Sequence, residues 1–223
     1  MLTHTFFLCK KEKELDRYNF LIKQIEILNL NNVSFFHHIW GDEITKDIRN
    51  KYCRSDDIMK KHGRNMIQNP LTNGEISLYL NHIECLKYIK KNYTSGYFAI
   101  FESDAIFNKS YNNDIEEIMK EIRNINTDAL IVYIGQCNSV GKIGDTKIKL
   151  RRYLNDDGFF AEGIIWSYNA VCRFLDHFEE NQLIDSPIDT KYVFSKHIFD
   201  IYSSVPYLVR QGSISGLFNS HLR

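Results

Sequence analysis

The sequence predicts an α/β fold in which a mostly parallel central sheet is flanked by helices. Short apolar runs alternate along the chain with segments whose apolar residues recur at helical spacing, the pattern of strand–helix–strand units. With 223 residues, a hydrophobic fraction of 43% and only 3 prolines, the chain can bury one sizeable core and shows no linker or internal repeat, so one domain over 1–223 is the simplest reading.

The elements follow in order. Thr3–Leu8 reads as a buried first strand. Leu15, Tyr18, Ile22, Ile25 and Leu28 then mark an amphipathic helix. Val33–Ile39 reads as a second strand, closed by Trp40-Gly41-Asp42, and the polar stretch Arg54–Asn69 as a surface loop with short helical turns. Asn73 is placed to cap a long helix reaching about Asn92, with Ile76, Tyr79, Leu80, Ile83, Leu86 and Ile89 as its inward stripe. Tyr97–Phe101 is a short apolar strand ending in Glu102-Ser103-Asp104. Asn113 is placed to cap the next helix, followed by a strand at Ala129–Ile134, a long loop from Gly135 to Gly158, and a strand at Phe159–Trp166. Ser167 caps a further helix, Ser186-Pro187-Ile188-Asp189 opens another segment, and Ile201–Val209 closes the chain as a strand.

Charge and cysteines narrow the class. Lys+Arg and Asp+Glu both total 28, so the basic excess of a nucleic-acid binder is missing. The 5 scattered cysteines form no CxxC pair and read as reduced thiols, which fits a cytoplasmic location or a soluble domain of a longer protein. No signal-peptide pattern opens the chain, and no stretch approaches the roughly 20 apolar residues needed to span a bilayer. The sequence leaves an oligomer possible.

Two motifs fall short. Gly135 to Lys142 follows a strand like a phosphate-binding loop, but five residues separate its glycines and Ile143 follows the lysine. The phosphate-binding motif requires four residues there, and Ser or Thr after the lysine. His82-Ile83-Glu84 matches half of a zinc deaminase signature whose PCxxC half is missing.

Glu102-Ser103-Asp104 carries more. Open α/β sheets bind ligands beyond the carboxyl ends of their strands, and two carboxylates flanking a small residue there suit a hard divalent cation. The plain alternative is a solvated acidic turn. Other candidates face similar alternatives: Asp189, a catalytic or acceptor-binding carboxylate or a helix-start Asp favoured by the dipole; Glu162, a pocket carboxylate or a buried charge needing a partner; His82, site or packing; Asp42, a donor contact or a turn former; His221, a metal ligand or frayed tail.

Asn73-Gly74-Glu75-Ile76-Ser77-Leu78-Tyr79-Leu80-Asn81-His82 precedes Phe98-Ala99-Ile100-Phe101-Glu102-Ser103-Asp104-Ala105. Phe160-Ala161-Glu162-Gly163-Ile164-Ile165-Trp166-Ser167, Ser186-Pro187-Ile188-Asp189 and Val205-Pro206-Tyr207-Leu208-Val209-Arg210-Gln211 follow in order. This ordered set, with Arg17 and Trp40-Gly41-Asp42 before it, resembles glycosyltransferase family 25, which includes lipooligosaccharide and collagen galactosyltransferases. Two departures stand out: Ser103 replaces the family's central Asp, which bears on cation affinity, and Asn81 replaces the Ser before the helix His.

The resemblance implies a single domain of GT-A type and transfer of galactose or glucose from a UDP-sugar, with inversion, to a hydroxyl. The acceptor would be a glycan, a lipopolysaccharide or a collagen-like hydroxylysine. It implies Mn²⁺ or another divalent cation at Glu102 and Asp104, with His221 as a further candidate ligand. Arg17, Asp42, His82 and Glu102 would contact the donor, and Asp189 and Glu162 are the catalytic candidates. Residues of about 1–110 would bind the nucleotide sugar and about 111–223 the acceptor. The serine in place of the central Asp keeps open a catalytically silent sugar-nucleotide-binding module. The Gly135–Lys142 loop keeps open a small nucleotide-dependent kinase.

Overall fold

The computed structural model describes residues 1–53, 71–135, 149–152, 161–181 and 183–219. Strand β1 (His4–Leu8) leads through helix α1 (Leu15–Ile27) to β2 (Val33–Phe36), a short 3-10 turn (Gly41–Glu43) and α2 (Lys46–Tyr52). Helix α3 (Asn73–Asn92) precedes β3 (Tyr97–Glu102), β4 (Ala105–Phe107), α4 (Tyr111–Asn124), β5 (Leu130–Tyr133) and β6 (Lys149–Arg152). The chain continues with β7 (Gly163–Ser167), α5 (Tyr168–Asn181), α6 (Ile188–Phe194), β8 (Asp200–Val205) and β9 (Val209–Gln211).

Seven strands form the central sheet in the order β2-β1-β3-β7-β5-β8-β6. β1, β2, β3, β5 and β8 point one way, and β7 and β6 oppose them. The sheet is thus mostly parallel, as the alternating pattern predicts, and the whole is compatible with a single-domain fold of GT-A type.

Alternation within each strand sorts the core to two faces. Phe6 and Leu8 of β1 join Phe98 and Ile100 of β3 and Trp166 of β7 beneath α3, α5 and α6. Phe7, Phe101, Val132 and Ile165 face α1 and α4, where Leu21, Ile118, Met119 and Ile122 close over them. No described helix is long and apolar enough to cross a membrane. Cys9, Cys53, Cys85 and Cys172 are free thiols.

Several boundaries differ from expectation for local reasons. Helix α3 is capped by Thr72 rather than Asn73. Its side chain accepts from the Glu75 N–H, and Glu75 reaches back to the Thr72 N–H at 2.8 Å, a closed capping box. Helix α4 begins after Ser110 rather than Asn113, with no side-chain cap bond. Ser167 does cap α5, accepting from Ala170 N at 3.3 Å while also holding Leu130 N at 2.9 Å.

The apolar run at 201–209 is two strands, not one. The chain turns at the cis Val205–Pro206 peptide, and β9 leaves the main sheet to pair antiparallel with β4. β6, inside the stretch expected as a loop, instead pairs with β8 at the sheet edge. The expected surface segment at 54–69, the loop residues 136–148 and the start of the 159–166 strand lie outside the described residues.

Candidate functional site

A cleft opens beyond the carboxyl ends of β1 and β3, the position the strand-end rule anticipates. Leu8, Glu102, Ser103 and Asp104 form its floor, with Trp40, Gly41, Ser77 and Asn81 on one wall and Gln211 and Ser213 on another. Asn81 fixes the first wall. Its Oδ1 accepts from His38 N at 2.6 Å and Ile39 N at 3.3 Å, and its Nδ2 donates to Ile39 O at 2.7 Å. An amide can both donate and accept in this way, whereas the serine of the family pattern offers one hydroxyl. Asn81 therefore pins the segment after β2 to α3.

The carboxylates of the turn point into distinct surroundings. Asp104 is 2% exposed; its Oδ2 accepts from Ser213 N at 3.0 Å, and its Oδ1 is buried without a partner among the described residues. Its backbone oxygen accepts from Gly212 N at 2.8 Å, and a Cβ on Gly212 would stand only 2.8 Å from that oxygen, so the close approach needs glycine. Glu102 is buried on the α3 face of β3. Desolvation holds its pKa well above the usual carboxylate range, and the nearby negative charges of Asp104, Glu162 and Asp189 push the same way. Carboxylate oxygens of this kind are the donors that a hard divalent cation takes, the ion that the resemblance implies. Among the described residues no group of three or more His, Cys, Asp and Glu side chains is gathered for a metal, and His221 lies outside the described residues.

Arg17 lines the same cleft, with its guanidinium bonded within the chain. Its Nη1 donates to Ser103 Oγ at 2.8 Å and to Glu14 Oε1 at 3.3 Å, while Nη2 donates to the Asn219 carbonyl. The Ser103 hydroxyl in turn donates to Glu14 Oε1 at 2.5 Å. Sequence reasoning missed Glu14. It sits in the run Lys10-Lys11-Glu12-Lys13-Glu14, where nothing but its spacing three residues before Arg17 separates it from a solvated charge.

Glu162 lies fully buried just before β7, and its backbone oxygen accepts from Glu102 N at 3.3 Å. A Cβ on Gly135 would meet the Glu162 carboxyl carbon at 2.7 Å. That contact accounts for a glycine at the end of β5 without a phosphate loop; the rest of the kinase-like segment lies outside the described residues. Asp189 opens α6, half-buried, with Oδ1 accepting from Thr190 N at 2.6 Å, and it lies close enough to Glu102 to act on it electrostatically.

Two expected donor contacts stand apart from the cleft. Asp42 is exposed on the 3-10 turn and pairs with Lys13 at 2.6 Å. His82 is 0% exposed on α3; neither ring nitrogen has a partner among the described residues, and its ring lies edge-on to Tyr192 at 5.7 Å. Burial lowers its pKa to about 3, so the imidazole is neutral.

The profile of glycosyltransferase family 25, described as LPS biosynthesis protein, matches residues 4–188. No curated protein matches the chain.

Proposed function

The chain belongs to glycosyltransferase family 25, and from that premise we propose that it moves a hexose, galactose or glucose, from a UDP-sugar to an acceptor hydroxyl with inversion. The observation that carries this reading is the buried Oδ1 of Asp104, without a partner among the described residues, beside Glu102 in the strand-end cleft. Glu102 and Asp104 would hold Mn²⁺ or a similar ion, which when bound supplies positive charge against the departing diphosphate. The cleft walls at Trp40, Gly41 and Gln211 would receive the nucleotide, and the Asp189 side of the site the acceptor. Asp189 would take the acceptor proton, with Glu162 as the alternative carboxylate. The family description favours a lipopolysaccharide or related glycan as acceptor over a protein hydroxyl.

Donor hydrolysis tests the reading. UDP-galactose, UDP-glucose and other nucleotide sugars are incubated with the protein, with Mn²⁺ and with excess EDTA. We expect release of UDP from one UDP-hexose in Mn²⁺, none in EDTA, and recovery when Mn²⁺ is restored. Full turnover in EDTA removes the cation from the reading. Tight UDP binding with no turnover of any donor converts the protein into a silent binding module.

A further inference from the structure

Glu14 ends the charged segment after β1 and is buried, with its side chain 3% exposed, on the rim of the same cleft. One carboxylate oxygen takes both the Ser103 hydroxyl and Arg17, and the other takes Lys10 N at 3.2 Å. Glu14 and Arg17 thus form a buried pair of opposite charge, bridged by the hydroxyl of the residue that separates Glu102 from Asp104. Buried ions demand such pairing, because removing one partner strands the other. The pairing has a second effect. Arg17 lies near enough to Glu102 for its charge to favour the ionised carboxylate. A guanidinium that neutralised Glu102 or Asp104 outright would stand in for the cation they are suited to hold.

We propose that Glu14 is a positioning residue of the cation site: it retains Arg17 in an ion pair bridged by Ser103 and so leaves Glu102 and Asp104 to a divalent ion. This rests on the cation reading above. Without the Glu14 charge, the partners left to Arg17 among the described residues are neutral: the Ser103 hydroxyl, the Asn219 carbonyl and the Phe218 ring. Glu102, which already feels the Arg17 charge, and Asp104 are then the carboxylates left to it in the cleft, and either one drawn to it is lost to the ion. Ser103 makes the idea testable, because its Oγ already touches both groups. A carboxylate at position 103 would accept from Arg17 in place of Glu14, but only once Glu14 has lost its charge. With Glu14 intact, Asp at 103 would press two buried carboxylates together against one guanidinium.

The experiment is a charge transfer read by Mn²⁺ binding, with calorimetric titration of Mn²⁺ and thermal melts in EDTA. Glu14→Gln should weaken Mn²⁺ binding by about 10–100-fold, the usual cost of losing an outer partner of a metal site. Ser103→Asp alone should lower the melting temperature. Glu14→Gln with Ser103→Asp should return Mn²⁺ affinity to within a few-fold of wild type, a rescue that a merely structural glutamate would not produce. Wild-type Mn²⁺ binding by Glu14→Gln overturns the proposal. So does a double variant that binds as weakly as Glu14→Gln or does not fold, and this second criterion holds even where Glu14→Gln itself fails to fold. Absence of Mn²⁺ binding by the wild-type protein instead overturns the cation reading, and the present inference with it.

Discussion

Two buried polar groups meet at β3 and differ in how they are satisfied. On the α1 side, Glu14, Arg17 and Ser103 bond to one another and to the backbone of Lys10 and Asn219. On the α3 side, the Tyr79 and Tyr192 hydroxyls, both His82 nitrogens and the Trp166 indole N–H are buried without partners among the described residues. Tyr192 is held protonated there by desolvation, with Tyr133, Tyr79 and Glu102 among its electrostatic neighbours. Folded chains satisfy nearly all buried polar atoms, and water is the usual partner when protein supplies none. The difference teaches that the first group is a brace whose members satisfy one another. The second is made of polar atoms that meet no partner among the described residues, and Glu102 stands between the two.

Changes on the two sides should therefore differ in kind. The largest expected effect lies on the α6 side, where Asp189 shares its helix with Tyr192. If Asp189 takes the acceptor proton, Asp189→Asn lowers kcat for transfer by about 10²–10⁴-fold while leaving UDP binding nearly unchanged. The contrary role is structural: Asp189 Oδ1 holds the Thr190 N–H in the first turn of α6. A variant with normal kcat and a raised acceptor KM would move Asp189 to acceptor binding, and Glu162 would become the next candidate for the base.

Asp104 lies at the junction. Asp104→Asn should reduce donor turnover by roughly a hundredfold, because a cation held by carboxylates contributes several kcal/mol to stabilising the leaving charge. It should not unfold the protein, since it removes a charge that burdens Glu102. Steady-state rates and melting curves on the same preparation check both halves. A rate within a few-fold of wild type would place the cation elsewhere.

How much of this was legible beforehand follows from which interactions are local. The sheet could be read because β1, β3, β5 and β7 are short apolar runs between helical patterns, and the strand-end carboxylates could be read from their place after β3. β4 and β9 could not, because each has three residues and exists only through the other across about a hundred positions of sequence. β6 reads KLRR, with no apolar alternation, and is a strand because it pairs with β8. Glu14 joins the site through Ser103, 89 residues away, a pairing that no local pattern announces. Ser103 illustrates the same limit: in sequence it is a missing carboxylate, whereas in the fold it is the bridge between Glu14 and Arg17. His82 could be placed at the edge of an apolar stripe, but its complete burial depends on α6, which packs over it from more than a hundred residues downstream.

His82 supplies the smallest effect at neutral pH and the sharpest test of the comparison. Its imidazole is fully buried, desolvation is the cause of its lowered pKa, and its folded pKa of about 3 lies below the ordinary value of 6.5. Between those two values the unfolded chain binds a proton that the folded chain refuses. Stability therefore rises with pH through that window and is lost as pH falls from about 6.5 toward 3, with a slope from this group approaching about 1.4 kcal/mol per pH unit. His82→Leu removes the titrating group and two unsatisfied nitrogens. We expect denaturant melts of the variant to match wild type within a modest margin at pH 8 and to fall less steeply between pH 6.5 and pH 5. His4 and His37, whose pKa values are also lowered, remain in both proteins and cancel in the difference. An unchanged slope would mean that His82 is protonated in the folded protein, which requires an acceptor on the α3 side. The contrast between a satisfied and an unsatisfied polar group across β3 would then fail at its clearest member.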